Sequence, residues 1–422
     1  MKIGIIGAGN VGTALGEGWA KAGHEVVYGL REGSARALPE GARAASVRGA
    51  AEASDVIVLS TPWDAVPGAL AAAGDLGGRV LIDTTNPIGP GFQLALGHTT
   101  SGAEEVARLA PGARVIKAFN TTGFENMTNP RYGERRAAMF LAGDDAPARE
   151  ATAHLAEGLG FEPIALPSLS RARDLEPFAM LWIRLAIIQK VGRDIAFGVV
   201  RRAGTPEPVS RKAARPRAIT IAGTGNIGGA LARAWLAAGH DVRLAARDPS
   251  AADVQALVAA GAKALPVEGA AEGAEIVALA VPAGAAAGVA ARLGDLRGKI
   301  VIDTMNALGP GMTLAHGHTT SAAEQLAAAL PGAHVVKSFN QQGAETLRAP
   351  RFDGGIAATN FVAADDPDAR QAVMALSEDI GLDAVDAGPL ASARLLEPVT
   401  TLWITASKPL GTRDFGLALL RR

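Results

Sequence analysis

Cysteine is absent from the 422-residue chain. Disulfides, thiolate-held metals, iron–sulfur clusters and cysteine nucleophiles are thereby excluded, and nothing points to an oxidising compartment. Aromatics are scarce, at 4%, and charge is balanced, with 41 basic against 42 acidic residues. A nucleic-acid binder would want a basic field and stacking rings, so that class is set aside. Long apolar runs are also missing. The most apolar stretch, Phe178 to Ile188, is interrupted by Arg184 and falls well short of the roughly 20 residues that span a bilayer. The opening Met-Lys-Ile-Gly-Ile-Ile-Gly leads directly into a strand pattern and a glycine turn, without a signal-peptide layout. The expectation is a cytoplasmic protein without membrane or nucleic-acid partners.

Apolar residues, at 48%, supply ample core, and the length exceeds the roughly 250–300 residues over which one core usually grows. The chain is one unit written twice. Ile5-Ile6-Gly7-Ala8-Gly9-Asn10-Val11-Gly12 returns as Ile221-Ala222-Gly223-Thr224-Gly225-Asn226-Ile227-Gly228. Ile82-Asp83-Thr84-Thr85-Asn86 returns as Ile302-Asp303-Thr304-Met305-Asn306, and Gly97 to Ser101 is repeated unchanged at Gly317 to Ser321. Lys117-Ala118-Phe119-Asn120 matches Lys337-Ser338-Phe339-Asn340, and Leu175-Glu176-Pro177 matches Leu396-Glu397-Pro398. The expected division is residues 1–202, a linker at 203–216, and residues 217–422. The linker, with Pro206-Glu207-Pro208 and a basic run ending in Arg215-Pro216, reads as a solvated, stiffened tether.

Within each copy short apolar runs alternate with helical spacing. Lys2 to Ile6, Glu25 to Tyr28, Val56 to Leu59, Arg79 to Ile82 and Arg114 to Phe119 read as strands. Val11 to Ala22 reads as a helix. After about residue 137 come strands at Met139 to Ala142 and Phe161 to Ala165, a helix at Ala146 to Leu159, and a last helix from near Glu176. The fold class is therefore α/β: two tandem Rossmann-like domains with doubly wound parallel sheets, each carrying a small C-terminal α+β cap.

The glycine turn follows a strand and opens a helix in both copies, the context that gives G-x-G-x-x-G its meaning. Gly7 and Gly223 permit the tight turn, Gly9 and Gly225 let backbone approach a pyrophosphate, and Gly12 and Gly228 let helix pack on strand. Asn10, Val11, Thr224, Asn226 and Ile227 complete the two loops. At the end of the second strand, where NAD sites usually carry a carboxylate, stand Arg31 and Arg247. An arginine there grips a 2′-phosphate, and a charge-assisted contact of roughly 1.5–3 kcal/mol corresponds to about 10- to 100-fold preference for NADP. Asp248, one position later, reads as the start of the next helix. Polar residues at other strand ends (Ser60, Thr61 and Pro62 with its counterpart Pro282; Asn86 and Asn306; Asn120, Thr121 and Asn340) face where such sheets bind ligands. Ser101 with Glu104, and Ser321 with Glu324, read as helix capping boxes. His98 and His318 lack companions at metal spacing, so no metal is expected. Lys117 and Lys337 read as electrostatic support, with proton donation the alternative.

These residues resemble the NADPH-dependent reductases of the deazaflavin coenzyme F-420. The carriers are Gly7 to Gly12, Arg31, Leu59-Ser60-Thr61-Pro62-Trp63, Gly143-Asp144-Asp145 and, in the second copy, Asp386 to Leu390 through Arg394 to Glu397. The chain is also similar to the oxidoreductase domain of the STEAP ferric reductases, which share a Phe-Asn segment like Phe119-Asn120. The resemblance implies hydride transfer between NADPH and a deazaflavin or flavin-type ring, which needs alignment more than an acid or base. No catalytic residue is therefore assigned. It further implies that Ser60 to Pro62 and Asn86 flank ribose and nicotinamide, and that Trp63, Asn120, Thr121 and Asn340 edge the acceptor pocket. Family members pair as homodimers, so the fused halves are expected to form an internal pseudo-dimer. The second copy departs at Ala283-Gly284 for Trp63-Asp64 and at Gln341-Gln342 for Thr121-Thr122; its acceptor pocket differs, by loss of the acceptor or by use of another substrate. Two other readings stay open: a reductase of a small C=O or C=N substrate, which would need Lys117 or Lys337 as proton donor, and a non-enzymatic NADP-binding sensor or partner protein.

Overall fold

A computed structural model describes residues 1–34, 38–39, 41–205, 209 and 211–422. The chain divides into two compact units, residues 1–198 with 408–410 and 419–422, and residues 199–407 with 411–418. Pro206, Glu207 and Pro208 of the expected linker lie outside the described residues. The second half of that stretch is not a free tether. The N–H groups of Arg211 and Ala213 donate to the carbonyls of Asp379 and Ala238 at 2.9 and 2.8 Å, and Ala213 is buried.

In the first unit the main elements are β1 (Lys2–Ile6), α1 (Asn10–Lys21), β2 (Glu25–Leu30), β3 (Arg43–Ser46), α2 (Val47–Glu52), β4 (Val56–Leu59), α3 (Val66–Ala73) and β5 (Val80–Asp83). They continue with α4 (Gly102–Leu109), β6 (Arg114–Lys117), β7 (Ala138–Gly143), α5 (Ala146–Gly158), β8 (Glu162–Leu166) and α6 (Ala172–Ile183). All four residues of β4 and of β5 are buried, the signature of parallel strands covered by helices on both faces. The eight strands run in the order 8-7-6-5-4-1-2-3. β1 to β6 are mutually parallel, whereas β7 pairs antiparallel to β6 through Ala142↔Lys117 and carries β8 parallel to itself. The strands after residue 137 thus extend the main sheet with their direction reversed. The order turns at β1 and β4, so the crevice beyond their C-terminal ends is the ligand position of an open α/β sheet.

The last helix begins at Ala172, earlier than the expected start near Glu176, and holds Pro177 in its interior. Pro177 removes a helix donor, but every residue from Asp174 to Trp182 is buried, and that packing holds the turn. Trp19 of α1 is fully buried, stacks edge-on against Phe119 at 5.5 Å, and donates its indole N–H to the Leu155 carbonyl at 3.0 Å.

The second unit repeats the plan. Its elements are β9 (Ala218–Ala222), α7 (Asn226–Ala238), β10 (Asp241–Ala246), α8 (Ala252–Val258), β11 (Lys263–Pro266), β12 (Ile276–Leu279), α9 (Ala286–Arg292) and β13 (Ile300–Asp303). There follow α10 (Ala322–Ala329), β14 (His334–Lys337), β15 (Thr359–Ala364), α11 (Pro367–Asp379), β16 (Asp383–Gly388) and α12 (Ala393–Ala406). The strand order is 11-10-9-12-13-14-15-16, the same order counted from the other edge, again with β15 antiparallel to β14. Both units are Rossmann-like α/β domains. Among the described residues no helix is long and apolar enough to cross a membrane.

Candidate functional site

The turn from β1 into α1 is made possible by Gly7, whose φ of 105° lies where side chains are strained. A Cβ there would meet the Ser60 carbonyl oxygen at 2.4 Å, and one at Gly12 would lie 2.1 Å from the Gly7 carbonyl oxygen. Gly7 and Gly12 therefore shape the turn from below. Gly9 is the helix cap, no side chain satisfies the first N–H groups of α1, and no carboxylate stands in its first turn. Free donors and the positive helix end suit an anion. The second unit repeats this with Gly223 at φ 102° and a Gly228 Cβ 1.9 Å from the Gly223 carbonyl oxygen; Gly225 caps α7 with no acidic residue in its first turn.

In the first unit a cavity of about 710 Å³ opens beside this loop. Gly9, Asn10 and Val11 form one wall, Ser60 to Trp63 the next, and Asn86 a third. The structure adds Thr84, Thr85, Ile88, Phe124 and Arg193 to the lining. Thr61 Oγ1, on the wall, is buried without a hydrogen-bond partner. Together with the uncapped helix end, it is the kind of unmet polar atom that the ribose or amide of a nicotinamide dinucleotide would satisfy. The residues present fit that group.

Asn120 and Thr121 stand back from this wall. Both are buried, and Asn120 works through Asn86: its Nδ2 donates to Asn86 Oδ1 at 3.0 Å, while Asn86 Nδ2 donates to the Asn120 carbonyl at 3.1 Å. Asn120 Oδ1 has no partner. Phe119, just before it, is held at φ 58°, a conformation costing on the order of 1–3 kcal/mol for a non-glycine residue. Phe339 repeats it at φ 58° ahead of Asn340, which bonds Asn306 in the same way. Arg31 is exposed just past β2.

In the second unit the cavity lies over the other half of the crevice. It measures about 650 Å³ and is lined by Gly223, Thr224, Gly225, Arg247 and Pro282. Asp248 and Asp253 share it. Hydrogen bonds from Ser250 hold the Asp248 carboxyl below its ordinary range, and one from the Thr224 hydroxyl does the same for Asp253. Asp248 accepts from the Ser250 N–H at 2.9 Å in a local turn, and the next helix, expected to start at Asp248, begins only at Ala252. Asn226, Ile227, Asn306 and Asn340 do not line this cavity.

Lys117 is fully buried and has no access to the cavity. Its Nζ donates to Asp83 Oδ2 at 2.8 Å and to the Thr85 carbonyl at 2.6 Å, and lies 2.9 Å from Glu176 Oε1. Glu176 in turn accepts the N–H groups of Gly102 and Ala103 at the start of α4, at 2.8 and 3.1 Å. Burial alone would lower the Lys117 pKa, but Asp83 and Glu176 outweigh it and hold the ammonium above its ordinary value. Lys337 repeats the arrangement with Asp303, the Met305 carbonyl and Glu397. The alternative of proton donation by these lysines meets a side chain already saturated by partners. The capping boxes are present: Ser101 Oγ accepts from the Glu104 N–H at 3.2 Å, and Ser321 from Glu324 at 3.1 Å.

A family model described as NADP oxidoreductase, coenzyme F-420-dependent, matches residues 2–87 and again 218–307. The F-420-dependent NADP reductase of Methanothermobacter thermautotrophicus is 33% identical over 216 residues, covering 45% of this chain and 91% of that protein. The metalloreductase STEAP3 of Rattus norvegicus is 29% identical over 201 residues, 47% of this chain but only 40% of that protein's length. Among solved structures, a protein of Arthrobacter sp. FB24 named as a putative F-420 dependent NADP-reductase is 32% identical with a TM-score of 0.43, covering 46% of this chain and 96% of its own.

Proposed function

Since this chain belongs to the coenzyme F-420-dependent NADP oxidoreductase family, we propose that it moves a hydride between NADPH and a deazaflavin or flavin-type ring. Bound NADPH supplies the hydride and its two electrons; the acceptor ring takes them up with one proton from water. The chain's residues bind and orient. The uncapped N–H groups of α1, behind Gly9 and Asn10, hold the pyrophosphate. Arg31 and Arg247 hold the 2′-phosphate of their own units. Ser60 and Thr61 bond the nicotinamide end, and Asn86, fixed by Asn120, orients it.

The observation that supports this reading is a roomy cavity beside a glycine loop, with Ser60, Thr61 and Asn86 as polar lining and Asp64 and Arg193 as its charged groups. Lys117, the shared candidate for protonating a C=O or C=N substrate, is tied to two carboxylates and a carbonyl. A conjugated ring disperses incoming charge and needs no such donor. The test mixes the protein, NADPH and either coenzyme F-420 or FMN and follows the nicotinamide absorbance. Its decay with a ring acceptor is expected; no turnover with either ring overturns the reading.

A further inference from the structure

The two units differ where the nicotinamide and the acceptor would meet. Trp63 and Phe124 both line the first unit's cavity, and the Arg193 guanidinium, bonded to Glu125, lies 5.5 Å over the Phe124 ring. The second unit reads Pro282-Ala283 for Pro62-Trp63 and Gly343-Ala344-Glu345 for Gly123-Phe124-Glu125. Both aromatic walls are reduced to methyl groups. The hydroxyls change as well: Ser60 and Thr61 become Ala280 and Val281. A side chain without a polar atom cannot bond a ribose or a carboxamide.

The asparagine pair differs in the same sense. In the first unit Asn120 Oδ1 is buried and unpartnered. In the second, Gln341 Nε2 donates to Asn340 Oδ1, and the Thr400 hydroxyl bonds Asn306 Oδ1 at 2.8 Å and the Asn340 carbonyl at 2.7 Å. The first unit has Thr121 and Ala179 at those positions. What the second unit keeps is the phosphate-binding half: the glycine turn, the uncapped α7 and Arg247.

From these differences we infer that hydride transfer is confined to the first unit, where a flat conjugated acceptor lies against Trp63 and Phe124, and that the second unit holds a dinucleotide without passing its hydride on. The inference rests on the proposed reaction and assigns it to one site per chain. Trp63 and Phe124 set the preference for a planar ring, while Ser60 and Thr61 make the first unit's nicotinamide end competent. The hydride leaves the dinucleotide of the first unit for the ring, which gains two electrons and one solvent proton.

The full chain is loaded with NADPH, mixed rapidly with excess coenzyme F-420 or FMN, and the amplitude of the first turnover is read per chain. One equivalent is expected, and calorimetry with NADP and oxidised ring should count one ring per chain. Phe124→Ala should weaken ring binding roughly tenfold while leaving the dinucleotide stoichiometry unchanged, which also verifies folding; Phe124→Leu is the milder companion. Ser60→Ala with Thr61→Val should abolish the rapid phase. Two equivalents in the rapid phase, two rings per chain, or unchanged ring affinity in both Phe124 variants overturns the inference while leaving the proposed reaction standing. A chain that binds NADPH but neither ring overturns both.

Discussion

Lys117→Met tests the physical account of the site's frame most sharply. The ammonium lies 2.8 Å from Asp83 and 2.9 Å from Glu176, and all three side chains are essentially without solvent contact. Methionine matches the length of the stem but not the charge, so two carboxylates would be left facing each other in a dry interior. Removing one partner of a buried ion pair costs about 3–5 kcal/mol. For a unit of this size, at about 2–4 °C per kcal/mol, the melting point of the first unit should fall by on the order of 10 °C.

The pH dependence carries a sign. In the wild-type chain the Lys117 pKa stands above its unfolded value of 10.5, so its contribution is fully present below that value and constant across neutral pH. Burial already raises the Glu176 pKa above the carboxylate range although Lys117 opposes it, and in the variant that opposing charge is gone. The neutral form of Glu176 is then favoured further, and stability is lost as pH increases through its raised value. Lys117→Met should therefore lie closer to wild type at pH 5 than at pH 8, and adding Glu176→Gln should recover part of the loss at pH 8. Lys337→Met should cost less, because Lys337 lies 3.1 Å from Asp303 and 3.4 Å from Glu397. Thermal and urea melts at both pH values are the assay. A Lys117→Met protein within about 1 kcal/mol of wild type at both would refute the reasoning, and a variant that folds normally yet loses ring reduction would restore the lysine as a proton donor.

Arg31→Ala should weaken NADPH by about 10- to 100-fold with little effect on NADH; equal losses in parallel titrations would remove the 2′-phosphate role. Arg247→Ala should discriminate less, because Asp248 and Asp253 share its cavity as ionised carboxylates. Gly12→Ala forces a methyl carbon to within 2.1 Å of the Gly7 carbonyl oxygen, so α1 must move. Melts should register a loss of about 1–3 kcal/mol, and calorimetry a loss of NADPH from the first unit; unaltered binding would contradict the tight-turn argument.

Much of this was legible in the residues because parallel strands buried on both faces read as unbroken apolar runs, as Val56 to Leu59 does, and because the glycine turn has fixed spacing. The reversed direction of β7 was not legible. An apolar run carries no polarity, and only the path of residues 118–137 returns the chain antiparallel beside β6. The ion-pair network was half visible: Asp83, Lys117 and Glu176 all fall within repeated segments, yet 34 residues separate the first two and only the sheet brings them together. Phe124 and Arg193 were missed for a different reason. Phe124 lies in a segment whose counterpart is Ala344, and Arg193, which recurs as Arg413, is 68 residues from its partner Glu125, so only the fold brings it to the cavity.

Residues kept in both copies and residues that differ between them are under different constraints. The lysine network appears in both units, and its removal is expected to cost several kcal/mol in each, so either unit needs it simply to remain folded. A lining residue is under no such constraint. Replacing Ser60 by alanine on the cavity wall leaves no buried charge behind and costs the fold comparatively little. Sharing between the copies therefore reports scaffold first, whereas the positions at which they diverge (Trp63, Phe124, Ser60 and Thr61 against Ala283, Ala344, Ala280 and Val281) lie around the proposed reacting groups. A duplicated chain holds its own control: the network common to both halves accounts for the scaffold of each, and the difference between their cavities is what the proposed confinement of hydride transfer to the first unit rests on.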